Sequence, residues 1–331
     1  MKAVVLVGGE GTRLRPLTYT TPKQMLPVAG KAVIERVVEH LHAHGVDEVV
    51  LSLGYRPDAF IAAYPDGHCA GVEMVYAVEA SPLDTAGAIA FAANEAGITT
   101  ETFVVVNGDV LTEIDISDLV RFHREAGAEA SIALTPVDDP SRFGVVPVDL
   151  TGRVTAFIEK PEPGTAPTNM INAGIYVLEP EFLGRVEAGR RVSVEREVFP
   201  ALVASGSLYA LGSDALWTDM GTPHNYLEAN LAWARREGQN QSGDRASVAE
   251  GARVCSSVLH DGVVVETGAT VEGSVLLAGA RVGKGAVVRR SVLGASVDVR
   301  DDARVDDLSV LGDGFVVERG EVLVGARLPQ P

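Results

Sequence analysis

Between positions 8 and 27 the chain reads Gly8-Gly9-Glu10-Gly11-Thr12-Arg13-Leu14-Arg15-Pro16-Leu17-Thr18, followed by Pro22-Lys23-Gln24-Met25-Leu26-Pro27. A glycine-rich backbone lets peptide N–H groups approach phosphate oxygens closely, and Arg13 and Lys23 add positive charge suited to a triphosphate. The segment is not a Walker loop, because no Gly-Lys-Ser/Thr follows, and it lacks the dinucleotide spacing G-x-G-x-x-G. Gly8 and Gly9 alone would describe a tight turn. Arg13, Pro16 and Lys23 at these spacings favour phosphate binding.

Other residues suit the same chemistry. Asp109, after Asn107-Gly108, and Asp219, in Trp217-Thr218-Asp219-Met220-Gly221, are hard carboxylates of the kind that hold Mg²⁺ together with phosphate oxygens. A lone Asp beside Gly is otherwise a turn or cap residue. Glu159-Lys160 before Pro161 offers a cation for a sugar phosphate and an acceptor for sugar hydroxyls. By itself it reads as a surface ion pair. His40, His42 and His44 superficially suggest a metal pair at i,i+4, but no carboxylate motif accompanies them, and a helix C-terminus favours imidazole anyway. Trp217, Trp233 and Met25 read as packing residues.

Positioning these groups requires strands that end where they stand. Residues 3–7 form a short β-branched run into Gly8. Ile34, Val37, Val38 and Leu41 fall on one helical face that Gly45 ends, and residues 46–53 return as a strand. Strands over 72–78 and 103–106 flank an Ala-rich helix over 85–96. This alternation predicts a parallel sheet covered by helices, with ligands at the strand carboxyl ends, where Gly8-Gly9 and Asn107-Gly108-Asp109 lie. Strands over 132–137, 144–148, 154–158 and 171–178 suggest a mixed extension forming a substrate half. Thr222 as N-cap and Pro223 at the first helical position open a helix through Arg236 that Gly238 closes.

Residues 239–244 contain no apolar side chain and read as a linker. Beyond them Gly268-Ala269, Gly273-Ser274, Gly279-Ala280, Gly285-Ala286 and Gly294-Ala295 recur about every five to six residues, the signature of a β-helix of hexapeptide repeats. Val258, Val264, Val271, Val282, Val287, Val292 and Val297 are its inward candidates. The expected organisation is a Rossmann-like α/β domain with a mixed sheet over 1–238, a linker over 239–247 and a parallel β-helix over 248–331.

With 331 residues, 46% hydrophobic and 22% charged, the chain has room for two cores. A formal net charge of -17 opposes a nucleic-acid polymer or an anionic membrane as partner, while small anions remain possible where cations gather. Cys69 and Cys255, without metal-ligand spacing, read as reduced thiols of a cytoplasmic protein. The first apolar run is too short for a signal peptide and reads as a buried strand.

The segment from Gly8 to Pro27 resembles the sugar-1-phosphate nucleotidyltransferase family, whose signature is G-G-x-G-T-R-L-x-P-L-T followed by P-K-x-x-L-P. The resemblance continues through Asn107-Gly108-Asp109, Phe143-Gly144-Val145, Glu159-Lys160-Pro161, Asn172-Ala173-Gly174 and Trp217 to Pro223. The β-helix resembles the left-handed one that many members carry. Ser193-Val194-Glu195-Arg196-Glu197-Val198-Phe199-Pro200 looks most like the bacterial mannose-1-phosphate guanylyltransferase branch.

The resemblance implies transfer of a nucleotidyl group from a nucleoside triphosphate to a sugar-1-phosphate, with loss of pyrophosphate and Mg²⁺ as cofactor. It implies catalytic roles for Arg13, Lys23 and Asp109, and metal binding by Asp109 and Asp219. Gly8, Gly9, Gly11, Thr12, Glu79, Pro82, Asp84 and Gly108 would bind the nucleotide. Gly144, Glu159, Lys160 and Asn172 would bind the sugar phosphate. Glu79 stands where thymidylyl and uridylyl relatives commonly have Gln, and a carboxylate suits guanine's adjacent N1–H and N2–H₂ donors, so GTP is the expected donor. Where the family reads P-L-G-T-A-G, this chain has Pro82-Leu83-Asp84-Thr85-Ala86-Gly87. Asp84 would either touch base or ribose or act as a helix N-cap.

Three other functions compete. A glucose-1-phosphate thymidylyl- or uridylyltransferase would share the signature. A non-catalytic nucleotide-sugar-binding regulatory subunit would have lost cations or carboxylates, yet Arg13, Lys23, Asp109 and Asp219 are all present. A hexapeptide acyltransferase would need a histidine base, and His260 is the only histidine past the linker. β-helix domains stack on neighbours, so a homo-oligomer is expected.

Overall fold

The computed structural model describes residues 1–54, 56–237 and 245–330. By internal packing the chain forms two units, Met1–Gly9 with Ile34–Trp217 and Glu10–Val33 with Thr218–Pro331. The signature segment after Gly9 therefore packs with the C-terminal part of the chain. Of the expected linker, residues 239–244 lie outside the described residues, as does Gly238, the expected helix stop.

In the first unit, Phe103–Asn107, Lys2–Leu6, Glu48–Leu53 and Val72–Val78 lie side by side and parallel, in that order. Val4, Val5, Val50 and Val105 are wholly buried, as a sheet covered on both faces requires. Met170–Leu178 then joins Phe103–Asn107 antiparallel, Ala130–Pro136 pairs antiparallel with it, and Leu208–Gly212 runs parallel to Ala130–Pro136. The sheet is thus parallel first and mixed later. The expected strands over 144–148 and 154–158 shorten to Gly144–Val145 and Ile158–Glu159, with only an isolated bridge between Val148 and Val154. Pro147 removes a donor from the ladder there.

The helix Val33–Ala43 buries Ile34, Val37, Val38 and Leu41 as expected, and Gly45 takes φ +81° just beyond it. Burying each such side chain contributes roughly 1.5–3 kcal/mol. His40 of this helix and His44 just beyond it bond to a segment more than 70 residues away. His40 Nε2 meets the Ile114 carbonyl at 2.9 Å, and His44 Nδ1 meets Ser117 Oγ at 2.9 Å. Among the described residues no helix is long and apolar enough to cross a membrane.

In the second unit, Thr222 caps Pro223–Arg236 by accepting from Asn225 N at 3.2 Å. Three five-stranded parallel sheets then form a β-helix prism, beginning at Ser247–Val248. Successive coils advance by 17 residues, and by 18 where Val310, Val316 and Val322 lie beside Val292, Asp298 and Arg304, so most coils fall one residue short of three hexapeptides. Val271, Val282 and Val297 line the prism core as expected, whereas Val258 and Val292 are buried outside it and Leu259 and Leu293 take the inward places. Val264 is 37% exposed and Val287 only half-buried, while Val265 and Val288 are fully buried. Side chains alternate along a strand, so the inward position there falls one residue later.

The sequence reading missed a column of fully buried serines at the prism corner, Ser257, Ser274, Ser291 and Ser309. Ser257 Oγ accepts from Ser274 N at 3.1 Å, Ser274 Oγ from Ser291 N at 3.2 Å, and Ser309 Oγ from Ala326 N at 3.0 Å.

Candidate active site

The first unit places its candidates at strand ends. Gly8 and Gly9 follow Lys2–Leu6, both exposed, and Gly9 takes φ +105°. A Cβ on Gly8 would meet nothing within 4 Å, leaving its backbone open to a ligand. Gly108 behaves differently, because its N–H bonds to the Leu6 carbonyl at 2.9 Å and a Cβ would stand 2.9 Å from that oxygen. That contact seats Asp109, half-buried, beyond the carboxyl end of Phe103–Asn107.

Glu79 directly follows Val72–Val78, with Ser52 Oγ donating to its Oε1 and Leu83 N to its Oε2, each at 3.0 Å. The carboxylate is held in place, with lone pairs left for further donors. Pro82 is exposed. Asp84 is the first residue of Asp84–Glu95, and the N-cap position belongs to Leu83, which has no side-chain cap. Of the two roles open to Asp84, contact with base or ribose and helix N-cap, the second is thereby overturned. Its backbone stands at φ +61°, in the left-handed region, and this explains glycine as the family's usual choice. Asp84 Oδ1 accepts from Thr85 N at 2.9 Å and Oδ2 from Arg196 Nη2 at 2.8 Å, which satisfies the carboxylate within the protein.

Gly144, Glu159 and Lys160 are brought together because Gly144 pairs with Glu159 across two short antiparallel strands. A Cβ on Gly144 would stand 2.6 Å from Phe157 Cζ and 3.2 Å from Glu159 Oε2, so a side chain there would have to displace the Phe157 ring. Lys160 Nζ donates to Glu159 Oε1 at 2.7 Å and keeps two further N–H donors. Asn172 is largely occupied: Nδ2 donates to Tyr176 Oη and Oδ1 accepts from Gly174 N, both at 2.9 Å. Its side chain braces the irregularity between Asn172 and Tyr176 in that strand. Trp217 Nε1 donates to the Ala173 carbonyl at 2.9 Å, a packing role as expected.

The second unit gathers Gly11, Thr12, Arg13, Lys23 and Asp219. Thr18 Oγ1 donates to the Gly11 carbonyl at 2.9 Å, and Gly11 takes φ +62°. Thr12 and Arg13 are exposed, whereas Lys23 is only 9% exposed. A Cβ on Gly221 would stand 2.8 Å from Arg13 Nη2 and 2.8 and 2.9 Å from the Asp219 carboxylate oxygens. Arg13 and Asp219 thus converge on one spot that glycine leaves open. Asn225 Nδ2 holds the Asp219 carbonyl at 2.8 Å.

Sequence reasoning gave no role to the residues that hold this segment. Tyr226 Oη donates to the Pro27 carbonyl at 2.6 Å, Asn230 Oδ1 accepts from Ala29 N at 3.0 Å, and Thr20 Oγ1 donates to Asp313 Oδ2 at 2.6 Å. These pairs are separated by 199, 201 and 293 residues, and no local pattern announces them.

Among the described residues no group of three His, Cys, Asp or Glu forms a metal cage. Asp109 and Asp219 are oxygen donors only, which fits an ion such as Mg²⁺ that takes one or two carboxylates and fills its other positions with water and phosphate. Cys69 is buried, and that burial, with Glu35 nearby, pushes its thiol up to about 11, an inert state.

The Nucleotidyl transferase family profile matches residues 2–236, and that of the GMPPB C-terminal domain matches 237–329. Mannose-1-phosphate guanylyltransferase of Mycobacterium tuberculosis is 40% identical over 294 residues, 80% of this chain and 81% of that protein. The mannose-1-phosphate guanylyltransferase catalytic subunit beta of Drosophila pseudoobscura is 38% identical over 261 residues, 78% of this chain and 69% of that protein. HddC from Yersinia pseudotuberculosis is similar in structure, with TM-score 0.61 and 29% identity over 70% of this chain and 99% of HddC. A second HddC structure, complexed with GMP-PN, has TM-score 0.60 at 29% identity and the same coverage. On the profile match to residues 2–236 and this identity to curated relatives, the chain belongs to the nucleotidyl transferase family and is an enzyme of that class.

Proposed function

We propose that this enzyme transfers a guanylyl group from GTP to mannose-1-phosphate, forming GDP-mannose and releasing pyrophosphate. The observation that carries the donor choice is Glu79, whose carboxylate is fixed by Ser52 Oγ and Leu83 N at a strand end. So fixed, it suits guanine's paired N–H donors and repels the carbonyls that flank the single N–H of uracil and thymine. The names of the mycobacterial and Drosophila relatives support the same substrates.

A sugar-phosphate oxygen attacks the α-phosphorus, the bond to the bridging oxygen of the β-phosphate breaks, and pyrophosphate leaves with the electron pair. Gly8, Gly9, Gly11 and Thr12 offer backbone and hydroxyl donors to the triphosphate, and Arg13 and Lys23 offset its charge. Gly108 seats Asp109, Pro82 borders the nucleoside, and the backbone of Gly144, beside Glu159, adds hydrogen bonds to the sugar. Lys160 binds the sugar phosphate through its remaining donors, Glu159 accepts from sugar hydroxyls, and Asn172 keeps that edge in shape. Asp109 and Asp219 are the carboxylates we propose for Mg²⁺, which when bound neutralises charge at the α-phosphate. We propose residues 1–238 as the catalytic domain and the β-helix as the second domain, in a cytoplasmic homo-oligomer. The β-helix starts at the strand Ser247–Val248, one residue before the expected 248, so that the linker expected over 239–247 ends sooner.

The test is pyrophosphate release with ATP, CTP, GTP, UTP and dTTP against mannose-1-phosphate and glucose-1-phosphate. GTP with mannose-1-phosphate is expected to be fastest, and Glu79→Gln to erode the preference for GTP by about 1–3 kcal/mol. UTP or dTTP as best donor, or an unchanged ranking in Glu79→Gln, would remove the guanine reading.

A further inference from the structure

We propose that Asp84 is a positioning residue for the nucleoside triphosphate, latching the loop that carries Glu79 and Pro82 to the turn that carries Arg196. The proposal rests on reading that loop as the nucleoside side of the site.

Asp84 holds φ +61°, a conformation that side-chain-bearing residues adopt at a cost and that Asp tolerates better than most. A strained residue persists where its surroundings over-determine it. Here Thr85 N is bonded to one carboxylate oxygen at 2.9 Å, while Arg196 Nη2 at 2.8 Å and Arg191 Nε at 3.7 Å face the other. The Asp84 side chain is only 19% exposed, against 65% for Arg196 and 73% for Arg191. Two guanidiniums, Arg196 in the helical turn Val194–Val198 and Arg191 just before it, therefore close over one sheltered carboxylate. Asp84 is thus turned toward Arg196 and Arg191, the placement of a residue that positions its loop.

The dihedral at residue 84 sets the direction of the Leu83–Asp84 peptide against the helix. The Leu83 carbonyl in that peptide receives Val192 N at 3.0 Å, and the Val192 carbonyl receives Ala86 N at 2.9 Å. Thr85 Oγ1 adds two links, accepting from Val194 N at 2.8 Å and donating to Glu195 Oε2 at 2.7 Å. A Cβ on Gly87 would stand 2.8 Å from Leu83 Cβ and 2.9 Å from the Arg190 carbonyl, so the two segments touch. On the other side, the Leu83 amide is the group that holds Glu79 Oε2. Turning residue 84 out of the left-handed region would carry Leu83 with it and disturb the carboxylate that faces the nucleoside.

Three variants separate the parts. Asp84→Asn keeps a side chain that tolerates this backbone but removes the charge, Asp84→Gly keeps the backbone but removes the latch, and Arg196→Ala removes the exposed partner. KM is measured by pyrophosphate release, using whichever triphosphate and sugar-1-phosphate the wild-type enzyme uses fastest. Each variant is expected to raise KM for the triphosphate about two- to fivefold, the scale of a partly exposed ion pair. That rise exceeds any change in kcat or in KM for the sugar phosphate, and the Asp84→Asn/Arg196→Ala double variant matches the single ones. Unchanged KM in Asp84→Asn and Arg196→Ala, effects that multiply in the double variant, or equal losses in all three constants would overturn the latch. A fastest donor other than GTP would overturn the guanine reading and leave this test intact.

Discussion

The Lys160 side chain is 64% exposed and its ammonium is bonded to the side chain of its own neighbour, Glu159. An ion pair so placed contributes little to stability, and its worth lies in what else the ammonium can bind. Lys160→Ala is therefore expected to leave the melting temperature close to wild type while raising KM for the sugar-1-phosphate about ten- to a hundredfold, a charge-assisted bond of roughly 1.5–3 kcal/mol. Loss of triphosphate affinity instead would assign Lys160 to the other substrate. At this scale the motifs announced the residue types well. They could not announce occupancy: Asn172 already gives its amide to Tyr176 and Gly174, and Asp84 gives its carboxylate to Arg196 and Thr85.

Among the elements, the β-helix depends on groups its repeat does not advertise. Ser274 is fully buried, accepts from Ser291 N and donates to the Glu272 carbonyl at 2.8 Å. Ser274→Ala leaves that amide unpaired in the wall of the prism and is expected to cost about 1–3 kcal/mol by chemical denaturation. An unchanged midpoint would make the serine column incidental. His260 lies in the same element, 9% exposed, with no partner for Nε2 among the described residues. Burial pushes its pKa down to about 4, and Asp261 opposes this only in part. Below the ordinary value of about 6.5 the unfolded chain binds a proton that the folded chain refuses, so stability is full above that pH and falls as pH drops toward 4, by about 3 kcal/mol in all. Urea unfolding at pH 7 and pH 4.5 should show this loss in the wild type and a smaller one in His260→Gln. Equal losses in the two proteins would show that His260 does not titrate as a buried neutral group.

For the whole molecule, the packing of Glu10–Val33 with Thr218–Pro331 gives the β-helix a part in holding the signature cations. Thr20 bonds to Asp313, a Cβ on Gly312 would stand 3.0 Å from Pro16 Cβ, and Arg327 Nη1 reaches the Arg13 carbonyl at 3.5 Å. Removing the chain after Gln239 is expected to change the mass in solution and to depress turnover, because these contacts vanish with it. Asp313→Ala, a milder probe, should lower kcat/KM for the triphosphate about three- to tenfold. A truncated protein of unaltered mass and full activity would show the domain to be dispensable.

Local signals determined a great deal in this chain. The strand run into Gly8-Gly9, the amphipathic face of Ile34, Val37, Val38 and Leu41, the Thr222 cap and the glycine-punctuated coils each follow from propensity and periodicity within a few residues, and the structure bears them out. Tertiary structure alone decided what depends on residues meeting across the chain. It shifted the inward position from Val264 to Val265, tied Thr20 to Asp313 across 293 positions and turned Asp84 toward Arg196. Periodicity reports which face of an element is apolar. Which partner a polar side chain takes depends on distances and directions that exist only once the chain has closed on itself.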